Sequence, residues 1–137
     1  MVLNKTEILA LDVGDVRLGV ARCNRIARLP EPLQIIDVTD TDALTAILDE
    51  RAPSLVLVGM PRNMSGKLTP QSAKIRDWAE NVLRPLLPEG MEMEYVDETL
   101  SSVAARGRAP GAKHIDDIAA AEILEIYLRS NQEDHYV

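Results

Sequence analysis

The segment TEILALDV, residues 6–13, constrains the fold more than any other stretch. Ile8 and Ala10 alternate with Leu9, Leu11 and Val13, so a strand here has no polar row on either face. Such a strand must be covered on both sides, which makes it an inner strand of a sheet packed between helices. Asp12, near its end, is the residue that does not fit. With 137 residues the chain is long enough to bury one core without a disulfide or a structural metal, and too short for two full domains. The lone Cys23 excludes a disulfide framework and a four-cysteine zinc site, suits a reducing compartment, and reads as a small buried residue.

A second strand, Leu18 to Cys23, follows the tight DVGDVRLG segment, in which Gly14 and Gly19 suit a sharp turn and close backbone approach. Gln34 to Val38 completes an antiparallel meander. After Thr39 the period changes: Asp40 or Asp42 can cap a helix through Glu50, with Leu44, Ile47 and Leu48 inward and Pro53 as its stop. Leu55 to Val58 is an unbroken apolar run between Pro53 and Gly59, the mark of a buried parallel strand reached through a helical crossover. Thr69 and Pro70 open a helix to about Leu83, with Ile75, Trp78, Ala79, Val82 and Leu83 inward and Pro85 and Pro88 beyond it. Met91 to Asp97 reads as a fifth strand, residues 101–106 as a short helix, RGRAPGAKH as a loop, and residues 116–129 as the last helix. The expected fold is α/β: one domain over residues 1–137, a mixed five-stranded sheet flanked by helices in the order β-β-β-α-β-α-β-α.

No basic leader precedes a long apolar stretch, and no run of about 18 apolar residues occurs, so the expectation is a cytoplasmic protein without a membrane span. The net charge of −7 argues against nucleic acid, because phosphate neutralisation by Lys and Arg supplies most of such binding. Its distribution argues the other way. Twelve of the 15 basic residues sit in three stretches free of acid, residues 16–30, 51–76 and 99–115, while all 22 acids and three bases share the other 79 residues.

Three acids occupy places where a structural acid is unexpected: Asp12 at the end of the first strand, Glu98 at the end of the fifth, and Asp116 at the start of the last helix. At 100° per residue Asp116 lies roughly 30° from the apolar centre of that helix and Asp117 roughly 70°. Each acid also has a plain structural use, in a turn before Gly14, as a helix cap, or against a helix dipole. Gathered in one place, three carboxylates would need a cation, and an all-oxygen set suits Mg²⁺ or Mn²⁺ rather than zinc. Two-metal hydrolysis of phosphate esters uses such a cluster.

Four ordered motifs then carry a resemblance: LDVGDVRLGVA, VGMPRNMSG, YVDETLSS, and the K-x-x-D-x-x-A-A pattern of KHIDDIAAAEIL. Together they resemble the YqgF/RuvX family, Holliday-junction-resolvase-like nucleases also described as pre-16S rRNA nucleases, with a ribonuclease-H-like fold. The resemblance runs nearly end to end. It implies that Asp12, Glu98 and Asp116 are the catalytic, metal-holding acids, with two Mg²⁺ or Mn²⁺ ions, and that the substrate is nucleic acid. That substrate would be precursor rRNA, in maturation of the 16S 5′ end on the ribosomal small-subunit precursor, or branched DNA. Thr99 stands where the family often has Arg, and the loop from Ser102 to Lys113 is short for it.

Under this resemblance the three basic stretches should form a rim around the acids. Arg17, Arg62, Asn63 and Lys67 are candidates for phosphate or backbone contacts, Arg106 and Arg108 for reaching the strand from their loop, and Lys113 or His114 for orienting water or phosphate. Trp78, Tyr95 and Tyr127 read as core residues rather than stacking platforms. Competing readings are a junction resolvase, a non-catalytic nucleic-acid or protein-binding module of the same fold, and an actin-like ATPase, which needs two lobes. A phosphate-binding P-loop fails, because six residues rather than four separate Gly59 from Gly66 and Leu68 follows the lysine. A monomer and a homodimer both remain open.

Overall fold

The computed structural model describes residues 1–61, 67–98 and 115–131, with backbone alone at 115–117. Its strands are β1 (Asn4–Val13), β2 (Arg17–Asn24), β3 (Glu31–Asp37), β4 (Pro53–Pro61) and β5 (Glu92–Glu98). Its helices are α1 (Thr41–Arg51), α2 (Pro70–Trp78) and α3 (Ile115–Ser130). The element order is the expected one. The short helix expected at residues 101–106 and the loop after it lie outside the described residues.

One sheet has the strand order β3-β2-β1-β4-β5. β1 pairs antiparallel with β2 and parallel with β4, and β5 is parallel to β4, which places β1 at the centre. That position explains its double-sided burial. Leu9, Leu11 and Val13 join Val56, Val58 and Met60 in a core closed by Leu44, Ile47 and Leu48 of α1 and Ile75 of α2. Ile8 and Ala10 face the other way, with Leu55 and Leu57, against Ala120, Ile123, Leu124 and Leu128 of α3. Helices therefore cover both faces, α1 and α2 on one and α3 on the other.

Local chemistry sets the helix ends. Asp40, rather than Asp42, is the N-cap of α1, its carboxylate accepting the Ala43 N–H at 3.0 Å, while Asp42 sits in the first turn where the dipole favours an acid. α1 ends at Ala52 in the left-handed region (φ 45°), whose N–H donates to the Leu48 carbonyl at 2.8 Å; Pro53 already belongs to β4. Thr69 caps α2 as expected and adds a reciprocal capping box with Ser72. The buried Ser72 hydroxyl also donates to the Pro61 carbonyl, tying the start of α2 to the end of β4.

The helix expected to run to Leu83 is α-helical only to Trp78, then widens to a π-helical turn over Ala79–Leu83 and tightens to a 3-10 turn over Arg84–Leu86. Pro85 has no N–H for the Asn81 carbonyl, so the α-helical ladder cannot continue. Glu80, in the π turn, accepts hydrogen bonds from Arg84 at 2.7 and 3.0 Å and from the Tyr95 hydroxyl of β5 at 2.6 Å. Arg84 first and Tyr95 second hold the Glu80 carboxyl down at about 2. Burial first, then the bond to Glu80, pushes the Tyr95 hydroxyl up to about 12.

Candidate functional site

β1, β4 and β5 are parallel, so their C-terminal ends meet on one edge of the sheet, where open α/β sheets place ligands. Leu11 pairs with Val58, which sets Asp12 beside Gly59. Asp12 shares the parity of Ile8 and Ala10, so its carboxylate lies on the α3 face. Glu98 closes β5 opposite Pro61 and is only 4% exposed.

Gly59 lies on the strand between the two acids, and its missing side chain leaves room for the Glu98 carboxyl and for Ile123 of α3. A Cβ there would stand 3.2 Å from the Glu98 carboxyl carbon and 2.6 Å from Ile123 Cδ1. The Glu98 carboxyl thus lies over bare β4 backbone. Two strand spacings, about 10 Å, separate the backbones of β1 and β5, a gap that acidic side chains leaning across a glycine can narrow. In the sequence Gly59 read as a strand boundary, as part of the VGMPRNMSG motif and as the first glycine of a failed P-loop; β4 continues past it to Pro61, and an isolated glycine inside a strand is also the mark of close approach by another group.

α3 runs from this edge to the opposite one. At its C-terminal end Arg28, in the β2–β3 hairpin, donates from Nη2 to the Leu128 carbonyl at 2.6 Å. Ala119, Ala120, Ile123, Leu124 and Leu128 form its buried stripe. Asp116 precedes Ala119, Ala120 and Ile123 by three, four and seven positions, the spacing of one helix face. Asp117 has the same relation to Ala120 and Leu124 only. The backbone of both opens α3, and their side chains lie outside the described residues. Among the described residues no group of three or more His, Cys, Asp or Glu could hold a metal ion.

The β1–β2 turn borders the acids. Gly14 donates its N–H to the Arg17 carbonyl at 2.8 Å, and a Cβ on Gly14 would stand 2.9 Å from that oxygen, so the turn requires glycine. Gly14, Asp15, Val16 and Arg17 border a cleft of about 400 Å³. Arg17 is exposed on this edge, and Lys67 is exposed ahead of α2. Arg62, Asn63, Arg106, Arg108, Lys113 and His114 lie outside the described residues.

The expected basic rim is thinner than the charge pattern implies, because three of its arginines work at the far edge. Arg22 forms a two-pronged ion pair with the buried Glu7 and a further bond to Glu31 at 3.1 Å, and Arg51 stands 3.6 Å from Glu7. Arg28 caps α3. Glu7 lies at the N-terminal end of β1, five residues from Asp12. Cys23 is fully buried, and burial pushes its thiol up.

A family model described as RuvX, Holliday junction resolvase, matches residues 6–130. The chain belongs to this family. A relative from Fusobacterium nucleatum, named "Putative pre-16S rRNA nuclease", is 33% identical over 132 residues, which cover 88% of this chain and 94% of the relative. Relatives of the same name from Gloeobacter violaceus (36% identical, 88% and 82% covered) and Chloroflexus aurantiacus (37%, 94% and 92%) agree. Among solved structures, Thermus thermophilus RuvC in complex with a Holliday junction substrate superposes with a TM-score of 0.56 at 13% identity, covering 92% of this chain and 96% of that one. That likeness identifies the RuvX-family chain as ribonuclease-H-like in fold. Among the described residues no helix is long and apolar enough to cross a membrane.

Proposed function

We propose that this chain is a metal-dependent nuclease that hydrolyses phosphodiester bonds in maturation of the 5′ end of precursor 16S rRNA. What supports the reading is the Glu98 carboxyl seated over Gly59, with Asp12 on the neighbouring strand beside that glycine, at the parallel strand ends of a chain whose relatives bear the pre-16S rRNA nuclease name. Asp12, Glu98 and Asp116 are the catalytic acids and the groups that would hold Mg²⁺ or Mn²⁺, two ions in the full arrangement. Their donors are all carboxylate oxygens, the set that hard divalent cations prefer. Such ions supply an activated water and offset the charge that develops on the leaving oxygen.

The protein's part is positioning. Central strand β1 fixes Asp12, and burial under α3 limits the rotamers of Glu98. Arg17 and Lys67, together with Arg62, Asn63, Arg106, Arg108 and Lys113, contact phosphates and hold the strand in register. Water attacks the phosphorus directly, so no covalent enzyme intermediate forms. Cleavage of a four-way DNA junction is the second reading, favoured by the description of the matching family. It would suit a homodimer with paired sites, whereas a monomer suits RNA processing.

Metal binding tests this reading without any choice of substrate. Mn²⁺ at a hundred times its Kd should stabilise the wild type by about 2.7 kcal/mol. Asp12→Asn, which keeps size and fold, should abolish the effect. Unfolding curves identical with and without Mn²⁺ would favour a non-catalytic binding module.

A further inference from the structure

The sheet has two edges, and the chain blunts them differently. β3, at one edge, carries Pro32, and its pairing with β2 shifts register between Val20 and Ala21, which hinders a further strand from lying along it. β5, at the other, pairs with β4 in unbroken register from Glu92 to Glu98 and contains neither proline nor bulge. Its outer row of N–H and C=O groups meets no strand among the described residues. Charge guards this edge instead. Glu92, Glu94 and Asp97 are exposed, and no Lys or Arg occurs in the sequence between Arg84 and Arg106.

A groove of about 260 Å³ runs between β5 and the last turns of α3, lined by Glu94 and Val96 of the strand and by Ile126 and Tyr127 of the helix. Val96 belongs to the core beneath α3, and Glu92 and Glu94 share its parity, so all three lie on the α3 face. Glu92 and Glu94 make no hydrogen bond or ion pair among the described residues. Glu94 stands about 13 Å along the strand from Glu98, so this surface is separate from the acids at the strand end.

We propose that β5 takes an extended, lysine- or arginine-rich segment of another protein as a further strand of the sheet. In strand addition the main-chain hydrogen bonds supply affinity and alternate side chains supply specificity. Bases on the α3 side of the added strand stand beside Glu92 and Glu94 as cross-strand pairs of opposite charge. The groove takes one such side chain, its methylene stem on Val96 and Ile126 and its charged head at Glu94. Other occupants fit worse. Nucleic acid would bring phosphates to the same carboxylates. A second copy of this chain would offer β5 or β3, and neither edge strand contains a base to offset the acids.

The test adds a peptide of alternating lysine and valine, as long as β5, to the full chain, and reads amide hydrogen exchange together with the Kd by calorimetry. Amides of residues 92–98 should gain protection while those of β3 do not. A peptide with proline in place of each valine keeps the charge but loses main-chain donors, and should bind at least about tenfold more weakly. A peptide of alternating glutamate and valine should not bind. Glu92→Lys combined with Glu94→Lys, both on the exposed edge, should reverse the preference between the lysine and glutamate peptides. Residues 92–98 left unprotected at millimolar lysine peptide, protection of β3 instead, equal binding of the proline peptide, or a preference that survives the charge reversal would each overturn the proposal. So would protection of β5 gained merely by concentrating the chain without peptide, which would make a second copy the occupant.

Discussion

A methyl group on Gly59 would meet Ile123 Cδ1 at 2.6 Å and the Glu98 carboxyl carbon at 3.2 Å, so a single carbon there sets both helix packing and carboxylate placement. Gly59→Ala is expected to cost about 1–3 kcal/mol of stability through overpacking, read by urea unfolding. It should also displace Glu98 and weaken Mn²⁺ binding in the protein that still folds. The places of Asp12 and Glu98 near strand ends were legible because each interrupts or ends an apolar strand; the packing of Glu98 over Gly59 was not, since nothing in a sequence says which residue crosses over it. Arg22 misled for a related reason. Its pairing with Glu7 depends on the β1–β2 register, in which Arg22 stands opposite Leu9, and periodicity leaves that register open. Glu7→Gln should destabilise the protein by about 1.5–3 kcal/mol, because the partly buried Arg22 loses a charge-assisted bond, without changing metal affinity.

Most elements were legible from apolar periodicity, caps and prolines, since those signals are local. Two element ends were not. α1 stops at a left-handed Ala52 rather than at Pro53, and no residue type signals that an alanine takes this conformation. Ala52→Gly, normally harmful near a helix, should therefore stabilise by about 1 kcal/mol in thermal or chemical unfolding. The second is the π turn that fastens β5 through Tyr95 and Glu80. Glu80, held down at about 2 against an ordinary 4.5, stabilises the fold fully above pH 4.5 and loses that contribution as pH falls toward 2. Tyr95 holds its proton longer folded than unfolded, so stability should fall as pH rises from 10 toward 12. A tyrosinate absorbance titration should show one of the three tyrosines ionising near 12, and Tyr95→Phe should remove that step and raise the Glu80 pKa. The absence of a step near 12 would show that the Tyr95–Glu80 bond is absent in solution.

Across the whole molecule, a central strand buried on both faces required helices on either side, and that much of the architecture was legible from TEILALDV alone. The strand order β3-β2-β1-β4-β5 was not, because it depends on long-range pairing that a hydropathy pattern does not encode. That order brings the ends of β1, β4 and β5 to one edge and sends Arg22, Arg28 and Arg51 to the other, so charge runs in the sequence do not map onto one surface. The account's central claim is that Asp12, Glu98 and Asp116 form one metal-dependent hydrolytic centre. Its most direct test is cleavage of end-labelled precursor 16S RNA and of a four-way DNA junction by the purified chain, in Mn²⁺ or in EDTA, beside Asp12→Asn, Glu98→Gln and Asp116→Asn. The account predicts cutting of the RNA in Mn²⁺ alone, reduced in each variant by more than the roughly 10–100-fold typical of residues that only support a metal ligand. Cutting that persists in EDTA, or that survives Asp12→Asn and Glu98→Gln, would contradict it.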